Sequence, residues 1–196
     1  MPADVCRRSL APGGLPERQR DLNALQLLSA KPILYIANVD EASAGSGNAE
    51  SGRVADYAAS RGARSVVISA AIEAELAQLT DADEKREFLA TLGLHEAGLT
   101  RVIHAGYALL DLVTFFTVGP KEARAWTVER GTKAPQAAGR IHTDFEKGFI
   151  RAETIAYPDF VSYGGEQGAK DAGRMRLEGA DYVVQDGDIM HFRFNV

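Results

Sequence analysis

One cysteine, Cys6, stands in 196 residues. That excludes an intramolecular disulfide or a cysteine-rich metal cluster, and a reducing compartment is the expected setting. Histidine is equally thin. His95, His104, His142 and His191 are scattered, with no H-x-x-x-H or H-E-x-x-H pair, so the spacing of a zinc hydrolase is missing. There is no G-x-S-x-G nucleophile elbow. No apolar run approaches the roughly 20 residues of a membrane span. The first twenty residues carry Arg7, Arg8, Arg18 and Arg20 but no apolar signal segment. Positive charge is not in surplus either. The formal net charge is −5, so the whole chain has no attraction to DNA or an anionic membrane. Residues 112–196, with 11 basic and 12 acidic side chains, are close to neutral. A cytoplasmic protein with no DNA or membrane partner is expected.

What is present falls into two styles. Residues 1–20 hold three prolines and adjacent glycines and read as a ragged start. Leu22, Leu25 and Leu28 then make an apolar helical stripe that ends before Pro32. Pro32 to Val39 is a nearly continuous apolar run, the pattern of a strand buried on both faces. A Ser/Gly/Ala-rich loop follows, then a short helix over Val54–Ser60, a second buried strand over Ser65–Ser69, and a helical run over Ile72–Leu79. Strand, helix, strand, helix implies a parallel sheet. Thr80 to Asp83 has capping-box spacing for a helix that Gly93 stops. A last helix runs toward Leu110, with Val102, Gly106 and Leu109 on one stripe and Ile103, Tyr107 and Leu110 beside it.

From Leu112 the period changes to two. Leu112–Val118 turns at Gly119-Pro120 and returns as Ala123–Val128, a hairpin. Ile141, Phe145 and Phe149, at i, i+4 and i+8, predict one amphipathic helix approached through Pro135. Ile150–Tyr157 reads as a strand. Met190, Phe192, Phe194 and Val196 alternate with polar residues in a half-buried strand after an Asp186-Gly187 turn. A mixed sheet around one helix, in a β-grasp order, fits this sequence of elements.

These residues also carry a family pattern. KPILYIANVDE, SAAIEAELAQL, FFTVGPKEARAWTVERGTKAPQAAGRIHTDFEKGFIRAE and EGADYVVQDGDIMHFRFNV resemble the C-terminal half of the YchF (Obg-like) ATPase family. The match runs from about Leu22 to Val196. The resemblance implies an α+β chain in three parts. Residues 1–30 are a ragged N-terminus and the end of a helical arm. Residues 31–111 are a partial α/β remnant, the last βαβα of a P-loop nucleotide domain plus linker helices. Residues 112–196 are a TGS domain, a ubiquitin-like β-grasp module.

The family's Walker A loop has no counterpart in these residues. Gly164 to Lys170 (GGEQGAK) approximates G-x-x-x-x-G-K-[ST], but Ala169 separates Gly168 from Lys170 and Asp171 replaces the hydroxyl residue. A carboxylate there repels phosphate, so a surface turn before a short helix is the expectation. What the resemblance does supply is base-reading elements. Asn38-Val39-Asp40-Glu41 is similar to the family's N-x-x-E, with Asn38, Val39 and Glu41 placed beside the base. Ser69, Ala70 and Ala71 stand where the family's second base-contacting loop lies. In guanine-selective relatives an aspartate accepts from guanine N1–H and N2–H₂; its replacement implies relaxed or adenine-preferring recognition. Spacing alone allows a plainer reading, in which Asn38 and Glu41 end a strand and begin a turn.

ATP and Mg²⁺ are therefore implied as cofactors of the complete family protein, with no tight binding to these residues alone, no catalytic residue and no metal ligand among them. The implied partners are a missing N-terminal half of the nucleotide domain and the ribosome or RNA, met through the TGS module. Lys121, Arg124, Arg130, Lys133, Arg140 and Lys147 crowd the hairpin and helix, yet Glu122, Glu129, Asp144 and Glu146 interleave with them. A solvated mixed-charge surface explains them as well as an RNA face does. His142 is expected to pack or cap rather than catalyse. The functional expectation is a ribosome-associated ATPase's C-terminal portion, with no hydrolysis of its own. The alternatives are activity on assembly with a separate N-terminal half, or a gene fragment.

Overall fold

The computed structural model describes residues 24–28 and 31–195; Cys6, the irregular opening stretch, Leu22 and Val196 lie outside the described residues. The chain divides into two compact units between Leu110 and Asp111.

In the first unit, strands β1 (Leu34–Asn38) and β2 (Arg64–Ile68) form a two-stranded parallel sheet, paired from Leu34↔Arg64 to Asn38↔Ile68. The crossover between them is helix α1 (Ala49–Ser60), as a parallel pair requires. It begins earlier than the apolar pattern suggests because Asn48 caps it. The Asn48 side chain accepts from Ser51 N at 2.9 Å while the Ser51 hydroxyl accepts from Asn48 N at 2.8 Å. That reciprocal box satisfies two orphan donors. Helices α2 (Ala70–Leu76), α3 (Ala82–Thr91) and α4 (Gly98–Leu109) follow. The cap of α3 is Asp81, which accepts from Asp83 N and Glu84 N, rather than Thr80. A carboxylate one residue later reaches both first-turn amides, so the expected Thr80 box is not used.

A small core of Ala44, Ile72, Leu76, Leu89 and Leu94 fills this unit. Tyr35 lies on the α1 side of the sheet, its ring 5.7 Å from that of Tyr57. Ile68 lies on the opposite side, under the start of α4. There Gly98 is needed, because a Cβ would come within 3.1 Å of Ile68. The expected burial of the first strand on both faces does not hold. Ile33 and Ile36 are each 50% exposed. The physical reason is that β1 has β2 as its one sheet neighbour among the described residues, and α4 packs chiefly over β2.

The second unit contains β3 (Leu112–Val118), β4 (Ala123–Glu129), α5 (Ala134–Ile141), α6 (Thr143–Lys147), β5 (Phe149–Ala156), α7 (Tyr157–Ser162), α8 (Glu166–Asp171), β6 (Arg176–Glu178) and β7 (Asp188–Phe194). The sheet order is β4-β3-β7-β5-β6. β3 and β7 are parallel neighbours, meeting at Phe116↔Ile189, and the other pairs are antiparallel. Period-two alternation sends Val113, Phe115, Val128, Ala152, Met190 and Phe192 to one face, where Ala134, Ala137 and Ala138 of α5 cover them. The small alanines let the helix sit close to the sheet. Phe115 is fully buried, a gain of roughly 1.5–3 kcal/mol over an exposed ring.

The helix drawn through Ile141, Phe145 and Phe149 is corrected. The chain leaves helical geometry at His142 (φ −158°, ψ 142°), restarts as α6, and Phe149 opens β5. His142 Nδ1 accepts from Asp144 N at 3.2 Å, so this histidine caps the second helix. The i, i+4, i+8 spacing was real, but a cap residue and Gly148 divide it. Gly148 lies under the Asn195 carbonyl, where a Cβ would overlap it. At the Asp186-Gly187 turn, Gly187 has φ +82° and donates to Thr114 O at 2.8 Å, tying the turn to the sheet.

Candidate functional site

Parallel strands point their C-terminal ends the same way, and the loops leaving those ends form the usual ligand crevice of an α/β layer. In the first unit those loops carry Asn38-Val39-Asp40-Glu41 and Ser69-Ala70-Ala71. Asn38 and Ile68 are register partners at the strand ends. The ladder continues one step further, with Val39 N donating to Ile68 O at 2.8 Å.

The link between the two loops is a side-chain bond. Ala70 N donates to Asn38 Oδ1 at 2.9 Å, across 32 residues of sequence. An asparagine amide has an acceptor oxygen and two N–H donors. Here the oxygen is spent on the protein, and the amino group donates to no partner among the described residues. Ser69 is buried, with a hydroxyl that has no partner among the described residues, and it precedes α2 without capping it. Ala70 and Ala71 are exposed in the first turn of that helix. Asn38, Val39, Ser69 and Ala70 are thus brought together, and Ala71 follows by one residue.

Glu41 stands apart. It opens a short 3-10 turn, Glu41–Ser43, and is exposed. The residue with the structural role there is Asp40, which accepts from Ser43 N at 2.9 Å. The family pattern singles out the fourth position; the turn chemistry of an aspartate before a small-residue loop is what would have found Asp40. Glu73 and Gly98 were also missed. Glu73 Oε1 accepts from Gly98 N at 2.6 Å, so a carboxylate from α2 caps α4 and fixes the helix behind the second loop. A glycine opening an apolar helix was the available signal.

The glycine-rich run that approximates a phosphate loop does not fit a triphosphate. In Gly164 to Lys170, Gly164 and Gly165 form the bend between α7 and α8, at φ +71° and φ +119°, and the rest lies in α8. Gly168 is used for packing against the Tyr163 backbone, and Asp171 accepts from Gln167. Those glycines close a helix junction instead of cradling phosphate. Among the described residues no group of three His, Cys, Asp or Glu side chains is arranged to hold a metal ion.

The second unit concentrates its polar chemistry at Asp188, which is buried at the start of β7. Its carboxylate accepts from Tyr182 OH at 2.7 Å and Gln185 N at 2.9 Å, with Arg176 3.6 Å away. Burial, reinforced by the hydrogen bond to Asp188, pushes the Tyr182 hydroxyl up to about 12, against the opposing pull of Arg176. On the other sheet face Arg193 donates from Nε and Nη2 to the two carboxylate oxygens of Glu153 and holds that carboxyl below its ordinary value. Both clusters are satisfied internally and read as scaffolding.

Residues 112–195 match the family YchF-GTPase_C, described as a protein of unknown function. The chain is 58% identical over 180 residues to the ribosome-binding ATPase YchF of Haemophilus influenzae, covering 92% of this chain and 49% of that protein. It is 54% identical over 182 residues to the protein of the same description in Bacillus subtilis, covering 92% and 50%. Among solved structures, the Schizosaccharomyces pombe YchF GTPase superposes with a TM-score of 0.76 at 36% identity, over 93% of this chain and 49% of that one. The chain spans about half the length of the curated relatives it matches.

Proposed function

We propose, from the premise that this chain belongs to the YchF family and aligns with its C-terminal half, that it supplies two parts of a cytoplasmic, ribosome-associated ATPase. Residues 31–111 are the base-reading end of the nucleotide domain. Residues 112–196 are a TGS module that binds partners. The strand order of the second unit, with a hairpin leading in and the first and last strands parallel at the centre, supports the β-grasp reading. Ribosome or RNA association is inferred from relatives that carry ribosome binding in their names.

The observation that carries the nucleotide reading is the Asn38–Ala70 bond. It joins the two loops that a base must touch and presets the asparagine amide. The relatives' names divide between ATPase and GTPase. Here the fourth position of the first loop is the longer Glu41, exposed in its 3-10 turn, in place of the aspartate that pairs with guanine's two donors, so adenine is accepted. ATP and Mg²⁺ are engaged by the complete protein. Within these 196 residues the base half of the site is present without a phosphate cradle, and no steady turnover is expected from them alone. Titration of the complete protein with fluorescent ATP and GTP analogues tests the reading. Asn38→Ala is expected to weaken ATP by about tenfold, roughly one hydrogen bond to a buried base plus the lost loop link. Unchanged ATP affinity in that variant overturns it.

A second reading, activity on assembly with a separately supplied N-terminal half, is favoured by one specific observation. Ile36 on β1 and Leu99 and Ile103 on α4 leave apolar surface uncovered in the first unit. Mixing the two halves and finding no ATP hydrolysis would reject it.

A further inference from the structure

We propose that the open edge of β4, with the groove between it and α5, is a docking site for an extended acidic peptide segment of a partner protein. The inference deepens the reading of the second unit as a binding module and makes no use of the nucleotide site.

The edge is built for main-chain pairing. At one end of the β3–β4 hairpin Arg130 N donates to Asp111 O at 2.7 Å, and at the other Gly119 N donates to Glu122 O at 2.9 Å. With the register Val113↔Val128, Phe115↔Trp126 and Thr117↔Arg124 between them, these ends set the alternation. The intervening β4 residues Ala123, Ala125 and Glu129 sit in non-hydrogen-bonded pairs and turn their N–H and C=O groups outward. β4 is the terminal strand of the sheet and pairs with β3 alone among the described residues. Seven residues make a long edge. Natural sheets usually protect such an edge with lysine, proline or a bulge along its length. Here the outward positions in the first half are two exposed alanines, which leave the backbone accessible.

The flank beside that edge supplies the specificity. A groove of about 420 Å³ runs between β4 and α5, floored by Val128 and walled by Thr132, Gln136 and Arg140. Arg124, Trp126 and Val128 point to this helix side, because they oppose Thr117, Phe115 and Val113 and the last two lie in the core. The Arg124 guanidinium lies 4.3 Å over the Trp126 ring, and Trp126 Nε1 donates to Thr117 Oγ1 at 2.9 Å, so the pair forms a fixed cationic platform. Neighbouring cations are already engaged: Arg130 with Asp111 and Lys133 with Asp181. Arg124 and Arg140 are in no ion pair among the described residues. Glu129, at the far end, is the carboxylate lining the groove.

An edge of alternating donors and acceptors matches a peptide backbone, and two uncommitted guanidinium groups beside it match carboxylates on that peptide. Nucleic acid fits less well. Phosphates provide acceptors without the alternating donors that the outward carbonyls of the edge require.

The test uses the full 196-residue chain and three labelled probes: a heptapeptide alternating valine with glutamate, its counterpart alternating valine with lysine, and a single-stranded RNA dodecamer. Fluorescence anisotropy is expected to show the glutamate peptide binding at least tenfold tighter than the lysine peptide. Arg124→Glu and Arg140→Glu should each weaken it at least fivefold, and Lys170→Glu, on α8, should leave it unchanged. Ala125→Pro removes an edge N–H and should abolish binding. In case that variant fails to fold, slowed amide exchange at Ala125 in the unsubstituted chain on peptide addition gives the same answer. Equal binding of the two peptides, displacement of the glutamate peptide by RNA, or unchanged Ala125 exchange overturns the proposal. The peptide and ATP titrations are separate measurements, so failure of the docking site and failure of the nucleotide reading are told apart.

Discussion

The two units share a chain but differ in how their sheets end. In the second, five strands place β3, β7 and β5 between neighbours, and the helix-facing side is closed by the alanines of α5. In the first, two parallel strands each have one neighbour among the described residues, and Ile36, Leu99 and Ile103 remain at half exposure or thereabouts. A two-stranded sheet is marginal without further packing. The lesson is that secondary structure of equal regularity can have very different support. In the first unit, caps and helix junctions maintain the loops around Asn38, whereas in the second a core does that work.

The largest effect expected to break this contrast is in the second unit. Phe115→Ala removes the fully buried ring that packs edge-to-face with Phe192 at 5.9 Å. It should cost about 3–5 kcal/mol in chemical denaturation of that unit, with the first unit's transition unmoved. A loss below 1 kcal/mol would mean that the core is not what distinguishes the two.

Alkaline pH should come next. The Tyr182 hydroxyl titrates near 12 in the folded protein against an ordinary 10. Between those values the unfolded chain has lost the proton and the folded chain keeps it. The associated stability is complete below pH 10 and is lost as pH rises through 12, amounting to about 1–2 kcal/mol once solvent screening of this half-buried group is allowed for. Urea denaturation from pH 9 to 12 should show this decline, and Tyr182→Phe should flatten it. Equal slopes in both proteins would remove Asp188 and Tyr182 from the second unit's supports.

The smallest effect sharpens the other side. Asn48→Ala removes the capping box of α1 and should cost about 1 kcal/mol, read as a lower melting point of the first unit alone. In a unit with so little core, that is a sizeable fraction of its stability.

Much of this was legible from the residues. The change from helical to alternating pattern at Leu112, the Gly119-Pro120 turn and the Met190–Phe194 alternation each map onto an observed element. Those signals are local, set by side-chain periodicity and backbone freedom. The failures have a common cause as well. The divided helix at His142 depends on a cap and on Gly148 meeting Asn195, 47 positions away in sequence. The exposure of Ile36 depends on which neighbours a strand has, which an apolar run does not encode. At the candidate site, family resemblance named Asn38 and Ser69–Ala71, but the bond that joins them spans loops whose proximity only the parallel register provides.

Residue-resolved hydrogen exchange on the 196-residue chain tests the central contrast most directly. Amides of Val113, Phe115, Met190 and Phe192 should be protected about a hundredfold or more beyond those of Ala37, Val39 and Val66, which face the partner strand in the two-stranded sheet, because the first unit opens by local unfolding while the second exchanges only when its whole sheet comes apart. Equal protection across both sets would contradict the account, and would mean that the two-stranded sheet is as well supported as the five-stranded one.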